Sequence, residues 1–233
     1  MYSTYISDAI SSWNISLSAD KVSALSSYLE KLSERNNYID LTSITDPIEM
    51  TLRHVMDPLS FVKLGLLKSG TLLDVGSGGG TPGIPLAIAV DHLLVTLNEP
   101  MQKRCDFLEF ATKDLPNVSI LRGRAEDLAR GLLRESFDYL TARAVAPLNT
   151  LAELCLPYLR VGGYFLPMKG RNIQEELDEA ENAIALLGGV LEDIKYYSIP
   201  NEDINRSILV IRKARQTDQI YPRRTAKMKR NPL

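Results

Sequence analysis

The chain has 233 residues, a net charge of −2, 45% apolar residues and 24% charged residues, which suits one globular α/β-sized core and excludes a disordered or fibrous chain. Its two cysteines, Cys105 and Cys155, show no CxxC spacing, so neither a disulfide framework nor a metal site is expected. Met1–Asp8 lacks a basic stretch followed by an apolar core, and the apolar run Ile84–Val90 contains Pro85 and falls far short of a membrane span; a soluble cytoplasmic protein with no membrane partner is expected.

In chain order, the first seventy residues read as helices. Ser18 caps a segment whose apolar residues Val22, Leu25, Leu29 and Leu32 recur at helical spacing, and Asp46-Pro47 opens a second helix through Met50, His54 and Phe61. His54 and Asp57 fall on one helix face at i, i+3, with a structural hydrogen bond expected for His54. From Thr71 the pattern alternates. Strands are predicted over Thr71–Val75, Leu93–Asn98, Val118–Leu121, Phe137–Thr141 and Tyr164–Met168, with helices over Gly83–Val90, Met101–Lys113, Glu126–Leu133, Pro147–Leu159 and Ile173–Leu187. Such alternation implies right-handed crossovers and a parallel sheet covered on both faces. Two last strands, Gly189–Ser198 and Ser207–Lys213, are joined by a connection too short for a crossover helix, so they should pair antiparallel. From Arg212 onward eight basic residues face one acid, giving +7, while the preceding 211 residues carry −9. The tail reads either as a clamp for a polyanion or as a solvated end.

The strongest motif is Leu72-Leu-Asp-Val-Gly-Ser-Gly-Gly-Gly-Thr-Pro-Gly83, between a predicted strand and helix. Gly76 and Gly78 permit a tight turn and close ligand approach. The spacing is Asp74-x-Gly-x-Gly-x-Gly80; a dinucleotide fingerprint would want glycine at position 81, where Thr81 stands. Glu99, after the second strand, can accept both hydroxyls of a ribose. Gly123-Arg-Ala-Glu-Asp127 can present a backbone amide and an acid to an adenine edge. Plain helix N-terminal charge would be the better explanation of Glu126 and Asp127 if they stood alone; in register with the other two elements it loses ground to the adenine reading.

With these elements in register, the sequence resembles the RsmG, or glucose-inhibited division protein B, family. The resemblance runs from about Leu41 to Leu233. It rests on Leu41-Thr-Ser-Ile44, Arg53-His-Val-Met-Asp57, Thr81-Pro-Gly-Ile-Pro-Leu86, Lys103-Arg104, Gly123-Arg-Ala-Glu-Asp-Leu128, Ala142-Arg-Ala-Val-Ala146, Met168-Lys-Gly170 and Tyr221-Pro-Arg-Arg224. It implies a class I methyltransferase fold: doubly wound α/β, a mostly parallel seven-stranded sheet with an antiparallel last strand, and an N-terminal helical addition. The expected division is a helical extension over 1–70, an S-adenosylmethionine-binding core over 71–215 and a basic tail over 216–233. The implied activity is methylation of N7 of a guanosine in small-subunit (16S) ribosomal RNA, with S-adenosylmethionine as cofactor and ribosomal RNA or the small subunit as partner. Gly76, Thr81, Ala125, Glu126 and Arg143 are implied cofactor contacts, beside Asp74, Gly78 and Glu99 from the motif reading. Asp40 and Asn98-Glu99-Pro100 depart from the family's usual residues.

Arg143 can reach guanine O6 or clamp the methionine carboxylate, and is the expected catalytic residue. Lys169, Arg223 and Arg224 are expected at RNA. Guanine N7 carries a lone pair and needs no base; a C5-pyrimidine acceptor would need a cysteine nucleophile, and both cysteines read as packing residues. Two other readings compete: an RNA-binding assembly factor on the same fold and, with less support, an NAD-dependent oxidoreductase. The oligomeric state stays open, a monomer being plausible.

Overall fold

The computed structural model describes residues 1–200 and 205–233; residues 201–204, within the predicted connection Ile199–Arg206, lie outside the described residues. Two of the N-terminal helices begin where a side chain satisfies a first-turn amide. After α1 (Tyr2–Ser12), α2 (Ala19–Asn36) is capped by Ser18, which accepts from the Lys21 amide. Asp46 accepts from the Glu49 amide at 2.8 Å at the start of α3 (Pro47–Thr51). The rod continues through a π-helical turn, Leu52–Met56, into α4 (Asp57–Lys63). His54, inside that widened turn, and Asp57, just after it, serve different partners rather than one face: His54 meets Thr42 and Thr81, Asp57 meets Arg143, Tyr197 and Arg206.

The alternating part runs β1 (Gly70–Val75), α5 (Gly83–Ala89), β2 (Leu93–Glu99), α6 (Gln102–Thr112), β3 (Val118–Arg122), α7 (Ala125–Leu128), β4 (Phe137–Thr141), α8 (Leu148–Cys155), β5 (Leu159–Phe165), β6 (Met168–Lys169), α9 (Gln174–Leu186), β7 (Gly189–Ser198), β8 (Asn205–Lys213) and α10 (Thr225–Arg230). The sheet order is β3-β2-β1-β4-β5-β8-β6, with β7 on β8. Strands β1 to β5 are parallel, and β8 is antiparallel to β5, β6 and β7. The expected fold class therefore stands, with one strand more than expected. The predicted strand Tyr164–Met168 is cut at Leu166-Pro167, because proline has no amide to donate, and Met168–Lys169 resumes the pairing along β8. The predicted helix Glu126–Leu133 keeps one turn; beyond it Arg130 and Gly131 close i→i−3 turns, glycine being a poor helix interior residue.

Alternate residues of β1 point to opposite faces and enter separate cores: Leu72 joins Ile6, Tyr28, Leu29, Phe61 and Ile84, whereas Leu73 and Val75 join Leu151, Tyr158, Ile184, Tyr221 and Met228. The N-terminal helices thus complete the core on one face of the sheet, and the C-terminal segment completes it on the other. The order reverses between β1 and β4, which opens a crevice at the carboxyl ends of these strands.

Candidate active site

The loop after β1 sits at that crevice. Gly76 has φ +74°, a left-handed conformation that favours glycine, and a Cβ there would lie 2.7 Å from the Val145 side chain. Its amide and that of Ser77 donate to the Asn98 carbonyl, tying the loop to the end of β2. The Gly78 amide donates to Glu99 Oε2 at 3.0 Å and the Met101 amide to Glu99 Oε1 at 2.9 Å. Glu99 is buried, and two amides fix its carboxylate while leaving lone pairs for hydroxyl donors. Asn98 donates through Nδ2 to the Leu121 and Gly123 carbonyls, holding the ends of β2 and β3 together.

A cleft of about 340 Å³ opens here. Gly76, Asn98, Glu99, Ala125 and Glu126 form one wall, and Ala144, Val145 and Ala146 another. Four of the expected cofactor residues, Gly76, Glu99, Ala125 and Glu126, are therefore brought together. Gly78 acts through Glu99. Asp74 lies beneath, fully buried: Oδ2 accepts from the Gly83 amide at 3.0 Å, and Oδ1 has no hydrogen-bond partner among the described residues. Burial pushes its carboxyl up to about 7, against the pull of the Gly83 amide.

Thr81, expected at the cofactor, faces the other way. The Tyr28 hydroxyl donates to the Gly79 carbonyl at 2.8 Å and lies 2.8 Å from Thr81 Oγ1; His54 Nδ1 lies 3.1 Å from the same Oγ1, and His54 Nε2 lies 3.0 Å from Thr42 Oγ1. Each hydroxyl has one proton, so the directions follow. Tyr28 gives its proton to Gly79, Thr81 gives its own to Tyr28, His54 Nδ1–H donates to Thr81, and Thr42 donates to Nε2. The chain requires a proton on Nδ1, and in a ring kept neutral by burial Nε2 is the acceptor for Thr42. Burial, reinforced by the Arg143 charge, lowers His54 from its ordinary 6.5 to about 3. The unfolded state binds this proton first as pH falls, so the stability contributed is complete above about 6.5 and drains away towards pH 3. For His54→Gln, the stability difference from the parent chain is expected to change by up to about 1.4 kcal/mol per pH unit in that window. Urea unfolding at several pH values measures it, and a pH-independent difference would remove His54 from this role.

Arg143 lies beyond Ala144, outside the cleft. Its Nη1 donates to the Arg53 carbonyl at 2.6 Å and to Asp57 Oδ2 at 3.1 Å. Lys169 Nζ donates to Glu176 Oε1 at 2.5 Å and to the Ala146 carbonyl. Arg223 does not face solvent as an RNA contact would. It is buried against Glu153 through its backbone amide, Nε and Nη2, the Nη2 contact being 2.7 Å. Arg224 is exposed. Part of the basic tail reaches the cleft: Thr225 and Lys229 line it, and the Thr225 hydroxyl donates to Glu126. Pro222 and Pro232 flank α10. Sequence reasoning missed Thr225, Lys229 and Arg104 in the cleft; only the odd charge of the tail hinted at the first two. Cys105 and Cys155 are both buried, and burial pushes both thiols up.

Residues 21–205 match the family described as rRNA small subunit methyltransferase G. The ribosomal RNA small subunit methyltransferase G of Lachnoclostridium phytofermentans is 42% identical over 99% of this chain and 97% of its own length. That of Clostridium tetani is 37% identical over 100% and 99%. Among solved structures, a SAM-dependent methyltransferase from Methanosarcina mazei aligns with a TM-score of 0.52 and 13% identity, covering 66% of this chain and 97% of that one. M. jannaschii TYW2 in complex with AdoMet aligns at 0.50 and 17% identity, over 63% and 70%. Both share the fold.

Proposed function

Because the chain belongs to the rRNA small subunit methyltransferase G family, we propose that it transfers a methyl group from S-adenosylmethionine to N7 of a guanosine in small-subunit ribosomal RNA, in the cytoplasm. Among the described residues no helix is long and apolar enough to cross a membrane. The observation that carries the reading is the cleft at the β1–β4 crevice, floored by the amide-fixed Glu99 carboxylate. The cofactor fits these residues: Glu99 has acceptor capacity for ribose hydroxyls, Gly76 leaves the loop backbone uncovered, and Ala125 and Glu126 stand where an adenine edge would be read. When bound, it supplies an electrophilic methyl group.

The chain's own part is alignment. Methyl transfer is an in-line displacement that gains most from a positioned nucleophile, and guanine N7 needs no proton removed. Both buried thiols are unsuited to the covalent route that a pyrimidine carbon would need. Residues 1–70 cover one face of the cofactor-binding core over 71–215, and residues 216–233 close the cleft's rim. Arg143 is assigned to the acceptor side, Lys169 and Arg224 to RNA.

Incubation with labelled S-adenosylmethionine and small subunits lacking the modification should place label in N7-methylguanosine on nucleoside analysis. Label on an exocyclic amine, or none, would overturn the reading. Arg143→Lys retains the charge opposite Asp57 and removes the guanidinium fork. It should lower transfer by the worth of a charge-assisted contact, about 1.5–3 kcal/mol or 10- to 150-fold. A parental rate at saturating substrates would make Arg143 a bystander.

A further inference from the structure

The two carboxylates that line the cleft are held by different means. Glu99 is fixed locally, by the Gly78 and Met101 amides on its two oxygens. Glu126 is buried on the same wall, yet no backbone amide donates to it among the described residues. Its partner is the Thr225 hydroxyl, 99 positions further along the chain, which donates to Oε1. Oε2 takes no hydrogen bond among the described residues. The terminal torsion of a glutamate is broad and roughly two-fold, so a donor on Oε1 decides the plane in which Oε2 is offered.

Thr225 is itself held in place. It begins α10, close to Arg223, whose guanidinium is buried against Glu153 on α8, and the same helix sends Met228 into the second core. The acid is held from that core too. The Tyr158 hydroxyl donates to the carbonyl of Ala125, the first residue of α7, at 2.7 Å. Donor and acceptor are thus mounted on one core, and the contact between them crosses the rim of the cleft that both residues line.

We propose that Thr225 is a positioning residue for selection of the cofactor's base: by fixing the Glu126 carboxylate it leaves Oε2 to accept from the exocyclic amine of adenine and sets it against a base that carries an oxygen there. The proposal rests on the cofactor reading above. Adenine presents an amine donor beside a ring-nitrogen acceptor, whereas hypoxanthine presents an oxygen acceptor beside a ring N–H. A carboxylate only accepts. Held still, it favours the amine and opposes the oxygen; free to turn, it can also accept from the hypoxanthine ring N–H. The Thr225 hydroxyl therefore contributes discrimination as well as affinity.

Calorimetry with S-adenosylhomocysteine and S-inosylhomocysteine tests this without turnover, on the full chain, Thr225→Val and Thr225→Ser. Valine keeps the branched shape and removes the donor; serine keeps the donor. Thr225→Val should bind the adenine ligand about tenfold more weakly, the low end for a hydrogen bond to a charged group. The hypoxanthine ligand should stay within about twofold, so the preference for adenine narrows by roughly fivefold or more. Thr225→Ser should keep the parental preference, and melting temperatures check that both variants fold. Parental preference in a folded Thr225→Val would overturn the proposal. So would equal weakening of both ligands, the result expected if Thr225 only anchors α10, and so would a loss in Thr225→Ser matching that in Thr225→Val. A parent chain that bound neither ligand would sink the cofactor reading together with this role, whereas parental binding with an unchanged preference in Thr225→Val sinks the role alone.

Discussion

Arg223→Met is expected to destabilise the protein by about 3–5 kcal/mol, the usual cost of removing one partner from a buried ion pair. Glu153 lies in α8 within the second core and is 1% exposed. The Arg223 side chain meets both carboxylate oxygens, and its Nη1 reaches on to the Asn231 carbonyl at 3.1 Å. Methionine keeps most of the volume and leaves the charge of Glu153 uncompensated in an apolar setting, with only the Arg223 backbone amide still donating to it. The control is the pair Glu153→Gln, Arg223→Met, which removes both charges and should recover a large part of the loss. Denaturant unfolding reads both. Equal destabilisation by the single and paired variants would show that shape, not charge, holds the tail. Truncation after Ile220 should be more damaging still, since it also removes the buried Tyr221 and Met228, and cofactor affinity should fall with it because Thr225 and Lys229 are lost from the cleft.

Gly76→Val should cost S-adenosylmethionine binding about 2–3 kcal/mol, roughly 30- to 150-fold. At φ +74° a branched residue is strained, and its Cβ would lie 2.7 Å from Val145 Cγ2, inside the wall of the cleft. The milder Gly76→Ala pushes on the same contact, so its affinity should lie between the parent chain and Gly76→Val, with melting temperatures confirming that both fold. Parental affinity in a folded Gly76→Val would remove the loop from the cofactor site. Gly78 gives a useful contrast, because a Cβ there meets nothing nearer than the Gly76 carbonyl oxygen at 3.9 Å. Substitution there acts through the amide that holds Glu99.

What could be read from the chain follows its local rules. Ser18 and Asp46 announce helix starts because capping is a contact over three residues, and β1 declares itself through consecutive buried apolar residues. The glycine loop, Glu99 and Ala125–Glu126 were legible as one site because each follows a strand of a parallel sheet, and those ends must meet at the crevice. Thr81 and Arg223 were misplaced for a different reason. Their partners, Tyr28, His54 and Glu153, lie 27 to 70 residues away, and no periodicity encodes which distant side chain a threonine or arginine will find. The same holds for Asp57, whose role depends on residues from β7 and β8. A basic tail looks solvated by composition even when two of its side chains, Tyr221 and Met228, are pulled into the core.

The rim of the cleft links ligand binding to the anchoring of a segment distant in sequence. Thr225 and Lys229 stand on α10, which is held by the Glu153–Arg223 pair and by Met228 in the second core. Loosening that anchor opens the cleft without touching the glycine loop. A ligand that contacts this rim binds the anchored form, and by mass action it holds the carboxyl-terminal segment in place.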